Sequence, residues 1–218
     1  MATKPANNPT RRPGLTRATI VDAALEVIDE SGIDSLTMRA LGERLGVDPM
    51  AAYRHFANKA EILDAVADRV VADVAAPDST VAWDERLVAL ALDARRALLA
   101  HPTMARYLAA RPPLGPASLT LVDRLLGVLA DGGFDTRTST RTAQSIIAVV
   151  LGTTAAVTDS GSAAEERMNI VRQAFAAAPG ELEHLHAAAE VIGDDNGDVG
   201  QLRWSLELLV AGLRARSH

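Results

Sequence analysis

Thr37-Met-Arg-Ala-Leu-Gly-Glu-Arg-Leu-Gly46-Val-Asp-Pro-Met-Ala-Ala-Tyr-Arg-His-Phe-Ala-Asn-Lys59 reads as two short helices separated by a tight turn. Thr37 is placed to cap the helix Met38–Leu45, whose inner face carries Leu41 and Leu45. Gly46 supplies the left-handed residue that stops it. Val47 is then a turn residue facing inward, Asp48 an N-cap, and Pro49 the favoured first residue of a helix running to Phe56. Asn58-Lys-Ala-Glu61 has the pattern of a capping box and opens a longer helix through about Val74. Upstream, Thr16 can cap a helix in which Ile20, Ala23, Ala24, Val27 and Ile28 recur at helical spacing, ending at Ser31-Gly32. Ile33 and Leu36 fold the chain back onto it.

Two short helices joined by a glycine turn and packed on a longer one are the build of a helix-turn-helix. An α-helix fits the DNA major groove, and the turn holds the second helix proud so that its first residues reach base edges. Ala40, Ala51 and Ala52 leave room for close approach of the helices. The polar residues fall where DNA contacts are needed: Thr37 and Arg39 at the opening of the second helix, Tyr53, Arg54 and His55 on the third, Lys59 at the start of the fourth. Hydroxyls and lysines are ordinary phosphate ligands, and arginine commonly reads guanine. The alternative at this point is a small helical bundle with a solvated basic face. Phe56 reads as a core anchor, and Glu43 and Arg44 as a solvated face.

Composition bounds the rest. Aromatic residues are 3% of the chain while alanine and leucine abound, which favours an all-α protein. There are no cysteines, so disulfides, thiol catalysis and cysteine-bound zinc are excluded. No apolar run approaches the ~20 residues of a membrane span. The first ten residues lack the apolar stretch of a secretory signal, so a cytoplasmic protein is expected. The net charge of −6 is an objection to a nucleic-acid partner. Its distribution weakens that objection: residues 1–59 carry eight Lys/Arg against seven acids, and the excess of acid lies downstream. Residues 1–15, proline-rich and without an acid, read as a disordered basic arm, 16–74 as the DNA-binding unit with its connecting helix, and 75–218 as a larger helical domain. Helices are expected there over 83–100, 102–110, 116–130, 137–158, 163–177, 181–191 and 200–216, with Gly193–Gly200 a flexible loop.

The stretches Ile20-Val-Asp-Ala-Ala-Leu-Glu-Val-Ile28, Gly32-Ile-Asp-Ser-Leu-Thr-Met-Arg-Ala-Leu-Gly-Glu-Arg-Leu-Gly-Val47 and Tyr53-Arg-His-Phe-Ala-Asn-Lys-Ala-Glu-Ile-Leu63 resemble the N-terminal domain of the tetracycline-repressor family. The resemblance covers roughly residues 16–70. It implies a homodimer whose third helices enter successive major grooves of a palindromic operator on double-stranded DNA. Carried over by position, Thr37 and Lys59 hold phosphates, Tyr53 and His55 contact or buttress the backbone, and Arg39 reaches a base edge. Pro49, Met50 and Ala51 form the base-reading tip, where the tetracycline repressors proper place polar residues. Met50 and Ala51 offer apolar contacts, for example to thymine methyls, so the operator sequence is not transferable.

Residues 75–218 resemble the regulatory half of that family more loosely, through Arg95-Arg-Ala-Leu-Leu99, Gly132-Gly-Phe134 and Leu206-Glu-Leu-Leu-Val-Ala-Gly-Leu213. By analogy the helices near 137–158 and 200–216 form a four-helix dimer interface. Leu202, Leu206, Leu209 and Leu213 make one apolar stripe, and Trp204 with Leu208 a second, so that helix needs two packing partners. Gly152, Thr153, Ala155 and Ala156 allow close helix approach. An effector pocket for a largely apolar small molecule is expected between the middle helices, with Leu98, Met104, Tyr107, Leu108, Leu121, Leu125, Phe134, Ile147 and Leu151 as candidate lining. The tetracycline repressors place a magnesium-chelating histidine after the Arg-Arg-Ala-Leu-Leu stretch; here Tyr107 occupies that place and His101 falls several residues early. No cofactor and no metal site is expected. His184 and His186 project to different sides of a helix, and the acidic run 194–198 has its glycine misplaced for a calcium loop.

Two other functions compete. An enzyme acting on a small apolar molecule would need a nucleophile elbow, phosphate loop, metal-ligand cluster or paired carboxylates, and none is found. A helical scaffold binding protein alone would lack salt-dependent DNA affinity.

Overall fold

The computed structural model describes residues 15–111, 114–158, 161–192 and 199–216. The basic-arm reading of residues 1–14 and the loop reading of 193–198 lie outside them. Ten α-helices occur among the described residues: α1 Arg17–Ser31, α2 Met38–Leu45, α3 Lys59–Val71, α4 Trp83–Ala100, α5 Pro102–Ala110, α6 Pro116–Asp131, α7 Thr136–Thr158, α8 Gly161–Ala176, α9 Glu183–Ala189 and α10 Val199–Arg214. Short 3-10 segments span Ile33–Ser35 and Pro49–Arg54, and no strand occurs among the described residues.

α1 buries Ile20, Val21, Ala23, Ala24, Val27 and Ile28, a single face at helical spacing, and α3 buries Ile62, Leu63, Val66, Ala67, Val70 and Val71 in the same rhythm. With Leu36, Leu41, Ala52 and Phe56 these faces join one core. Thr16 caps α1 through a reciprocal box with Thr19. At α3 the expected box is half made: Asn58 accepts the Glu61 N–H, but the Glu61 carboxylate accepts from Ala57 N–H instead of Asn58. The reason is Arg17, which draws that carboxylate toward α1 with a 2.9 Å ion pair.

Two expectations about the second half of the motif change. The segment after Pro49 is wound as 3-10 helix and ends at Arg54, two residues earlier than the expected helix. Its bonds run three residues back, Ala51 N–H to the Asp48 carbonyl and His55 N–H to that of Ala52. α3 closes at Val71; Val74, expected inside it, lies beyond its end yet is buried.

The longer helices surround α7, which packs against α4, α5, α6, α8 and α10. α3 is shared between the two halves of the molecule: it packs on α1 and also on α4, α5 and α6. Leu202, Leu206, Val210 and Leu213 of α10 are buried against the bundle, while Trp204 and Leu208 on its other side are 58% and 54% exposed. Leu209, expected in the buried stripe, is half-buried. No helix among the described residues is long and apolar enough to cross a membrane.

Candidate DNA interface and effector cavity

The turn of the helix-turn-helix is built by two glycines. Gly46, at φ 65°, adopts the left-handed conformation, and its N–H and that of Val47 return to the carbonyl of Gly42. At Gly42 a Cβ would lie 3.0 Å from the Pro49 N and Cα and from the Val47 carbonyl oxygen. The backbone of α2 therefore rests directly on the start of the 3-10 segment, and only glycine fits without displacement. The close approach thus rests on Gly42, beyond the alanines expected to allow it; the sequence signal for it is a glycine in the middle of an eight-residue helix.

With the turn closed, Pro49, Met50, Tyr53 and Arg54 are exposed, Met50 at 64% and Tyr53 at 45%, whereas Ala51 and His55 are half-buried and Ala52 and Phe56 buried. An exposed methionine and tyrosine side by side are the surface such a segment would press into a groove. The Thr37 hydroxyl accepts the Ala40 N–H at 3.1 Å, keeping its own proton for another acceptor. Arg39 is exposed and paired with Glu43 at 2.9 Å. Glu43 holds that guanidinium above its ordinary pKa, so it stays charged.

Lys59 differs from expectation. Its ammonium donates to the Ile33 carbonyl at 2.8 Å and is half-buried, which ties the start of α3 to the turn after α1. One of its three donors is thus committed to structure. Arg17, unremarked in the sequence, organises the other side: it lies 3.9 Å above the Phe56 ring and donates to the His55 carbonyl and to Glu61. Arg44 bridges Glu26 and Glu30 of α1, a tie between helices where a solvated face was expected.

A cavity of about 160 Å³ lies between α4, α6 and α7, with Leu108 of α5 and Val71 of α3 in its wall. Of the candidate effector-pocket residues, Leu98, Leu108, Leu121, Leu125, Ile147 and Leu151 border it. Three other candidates stand elsewhere. Met104 is fully buried in packed core. Phe134 packs edge-on against Trp83, ring centres 5.0 Å apart. The Tyr107 phenol donates to Asp64 of α3 at 3.1 Å, and burial, helped by that carboxylate, raises its pKa, which keeps it a donor.

Asp64 also accepts from Arg111 at 3.1 Å, so it holds both ends of the last turn of α5. One turn on, Asp68 accepts from the N–H groups of Ala117 and Ser118 and from the Ser118 hydroxyl, at 3.1, 2.7 and 2.8 Å. These bonds satisfy donors at the N-terminus of α6 that the helix itself leaves open. Farther along α6, Arg124 donates to the Val74 carbonyl at 2.6 Å. His101, at the α4–α5 junction, meets Asp29 of α1 at 2.8 Å. None of these ties was found in the sequence; the available signal was Asp64 and Asp68, one turn apart on a helix otherwise rich in apolar residues. Among the described residues no group of three or more acids or histidines is placed to hold a metal ion. His186 meets the Ala178 carbonyl instead.

A helix-turn-helix with an exposed reading segment, joined by a shared helix to a bundle with an apolar cavity, defines a DNA-binding transcriptional regulator. Residues 20–66 match the family described as bacterial regulatory proteins, tetR family, and residues 76–217 match the tetracyclin repressor-like C-terminal domain. The chain is 33% identical to the class A tetracycline repressor protein from transposon 1721 of Escherichia coli over 201 residues, 91% of this chain and 90% of that protein. It is 34% identical to an HTH-type transcriptional regulator of Saccharopolyspora erythraea over 132 residues, and there it spans 56% of that protein's length. Crystal structures of the Streptomyces coelicolor TetR-family protein ActR superpose well. The complex with actinorhodin gives a TM-score of 0.80 at 27% identity, covering 93% of this chain and 98% of that one. The chain belongs to the tetracycline-repressor family of transcriptional regulators.

Proposed function

We propose that the protein is a homodimeric repressor that binds a palindromic operator through residues 16–74 and leaves it when a small molecule occupies the cavity in residues 75–218. The observation that carries this reading is the double attachment of α3. Its first turn is tied to the reading unit through Lys59 and Glu61, and its later turns carry Asp64, Asp68 and Val71, which meet α5, α6 and the cavity. A ligand that moves α6 therefore acts on the helix that positions the reading segment. Coupling of this kind is typically worth about 1–3 kcal/mol between two sites. The complex of ActR with actinorhodin supports small-molecule control, by family likeness.

Dimerisation is supported by α10. Trp204 and Leu208 form an apolar strip that the described residues leave exposed. Ser145, Ala148 and Gly152 give the neighbouring exposed face of α7 small side chains against which a second copy can close. Thr37, Arg39, Tyr53, Arg54, His55 and Lys59 are assigned to phosphate and base contacts, with Pro49, Met50 and Ala51 at the tip; for Lys59 the assignment leaves two of its three donors to the DNA.

The test is sedimentation of the protein with a fluorescent fragment of the DNA flanking its own gene, at two salt concentrations. A dimer bound to that fragment, resistant to competitor DNA and weakened by salt, is expected. Binding no tighter than to random DNA, there and after selection from randomised sites, would overturn the reading.

A further inference from the structure

Among the described residues fourteen line the cavity; thirteen are apolar, and the exception is Ser118. Neither an acid nor a base is among them. A buried ion with no counter-charge carries a desolvation penalty of several kcal/mol, so an ionised ligand is rejected. Size narrows the class further. A volume of about 160 Å³ is close to that of apolar protein cavities that stay dry and admit a molecule the size of benzene. Multi-ring polar ligands would leave their hydrogen-bonding groups unmet against so apolar a wall.

Ser118 sets the remaining chemistry. It is buried, and its hydroxyl proton is committed to Asp68 at 2.8 Å, the same carboxylate that accepts its backbone N–H. A hydroxyl already donating can only accept from a ligand. A ligand with one O–H donor completes that hydrogen-bond chain; a ligand with only an acceptor meets another acceptor.

We infer that this chain recognises an uncharged single-ring hydrocarbon bearing one hydroxyl donor, a small alkyl phenol or cyclic alcohol, without a metal ion, and that Ser118 selects the hydroxyl. This rests on the reading of the cavity as the effector site. It also places the ligand's polar end two hydrogen bonds from Asp68, through Ser118, and so from α3.

The experiment is calorimetric titration of the full chain with p-cresol, toluene, benzoate and magnesium–tetracycline, beside operator binding read by fluorescence anisotropy. Cresol and toluene are expected to bind and benzoate and magnesium–tetracycline not to. Ser118→Ala should weaken cresol roughly five-fold, the worth of one ordinary hydrogen bond, and leave toluene unchanged. Ala94→Phe, which puts a ring into the cavity wall, should abolish both while circular dichroism remains helical. Binding of benzoate or magnesium–tetracycline in preference to the neutral rings would overturn the ligand class. So would neutral rings that fail to bind, or an equal loss of cresol and toluene in Ser118→Ala. If magnesium–tetracycline releases the operator, the ligand class fails and effector control stands. If cresol binds as expected and the operator is unaffected, the ligand class stands and effector control from this cavity fails.

Discussion

Asp68 caps a helix to which it does not belong: from the last turn of α3 its carboxylate accepts both the N–H and the hydroxyl of Ser118, at 2.7 and 2.8 Å, at the start of α6. Gly115 makes the approach possible, since a Cβ there would fall 2.3 Å from the Asp68 carboxyl carbon. A group on the helix attached to the reading unit and a group on the cavity wall are thus one hydrogen-bonded assembly.

Asp68→Ala leaves buried donors of α6 unmet, and a loss of roughly 1–3 kcal/mol in unfolding free energy is expected. Gly115→Ala should also destabilise by prising the carboxylate away. Both are read from urea denaturation midpoints, and wild-type midpoints in both variants would show that the tie contributes nothing. In Asp68→Ala the effector's influence on operator affinity should shrink even where the effector still binds.

Arg39 and Glu43 are locked together at 2.9 Å on an exposed face, where such pairs add little to stability. Arg39→Ala should weaken operator binding without altering the fold and relax the preference at the base pair assigned to it, the signature of one lost base-edge contact. Glu43→Gln should act oppositely, freeing the guanidinium and removing the negative charge beside it. Anisotropy titrations at several salt concentrations check both; a tighter complex for Arg39→Ala would refute the assignment.

Glu61 has a pKa below the ordinary glutamate range, held down first by the Ala57 N–H and then by Arg17. Because the folded value is the lower one, the unfolded chain binds more protons in the window between the two values, and stability there rises with pH. The contribution is complete above about 4.3, the unfolded value, and is lost as pH falls through the folded one. Urea midpoints from pH 6 to about 3 should therefore fall more steeply for the wild type than for Glu61→Gln. Parallel curves would place the acid sensitivity elsewhere.

Trp204→Glu and Leu208→Glu put a charge on the exposed strip of α10 and alter no buried side chain of that helix. Both should yield folded monomers by analytical ultracentrifugation, and a monomer should lose most of its operator affinity because one reading head must then bind alone. Dimers of unchanged strength would exclude this face.

Helix positions were legible where one periodicity dominates. α1 and α3 bury the apolar residues that their 3.6-residue spacing marks, and Thr16, Thr37, Asp48 and Asn58 cap as their chemistry suggests. The winding of Pro49–Arg54 was not legible, because proline at the first position suits α and 3-10 helix equally and only the contact of Pro49 with Gly42 distinguishes the setting. Six cavity residues could be proposed because leucine and isoleucine recur along α4 to α7. Met104, Tyr107 and Phe134 have the same apolar character in sequence, but their partners, Asp64 and Trp83 among them, are distant in the chain. Ties such as Asp68 to Ser118 span fifty residues, and no local pattern records them.

The tight winding of Pro49–Arg54 bears on how operator preference can change. In a 3-10 helix side chains three apart eclipse each other, with a rise of roughly 2.0 Å per residue against 1.5 Å in an α-helix. Met50 and Tyr53 therefore share one ridge, about 6 Å apart along the axis, close to two base-pair steps. If this ridge is what meets the DNA, as proposed, altering either residue shifts how the other is presented, and a new operator would be acquired by paired exchanges at 50 and 53 and seldom by one alone.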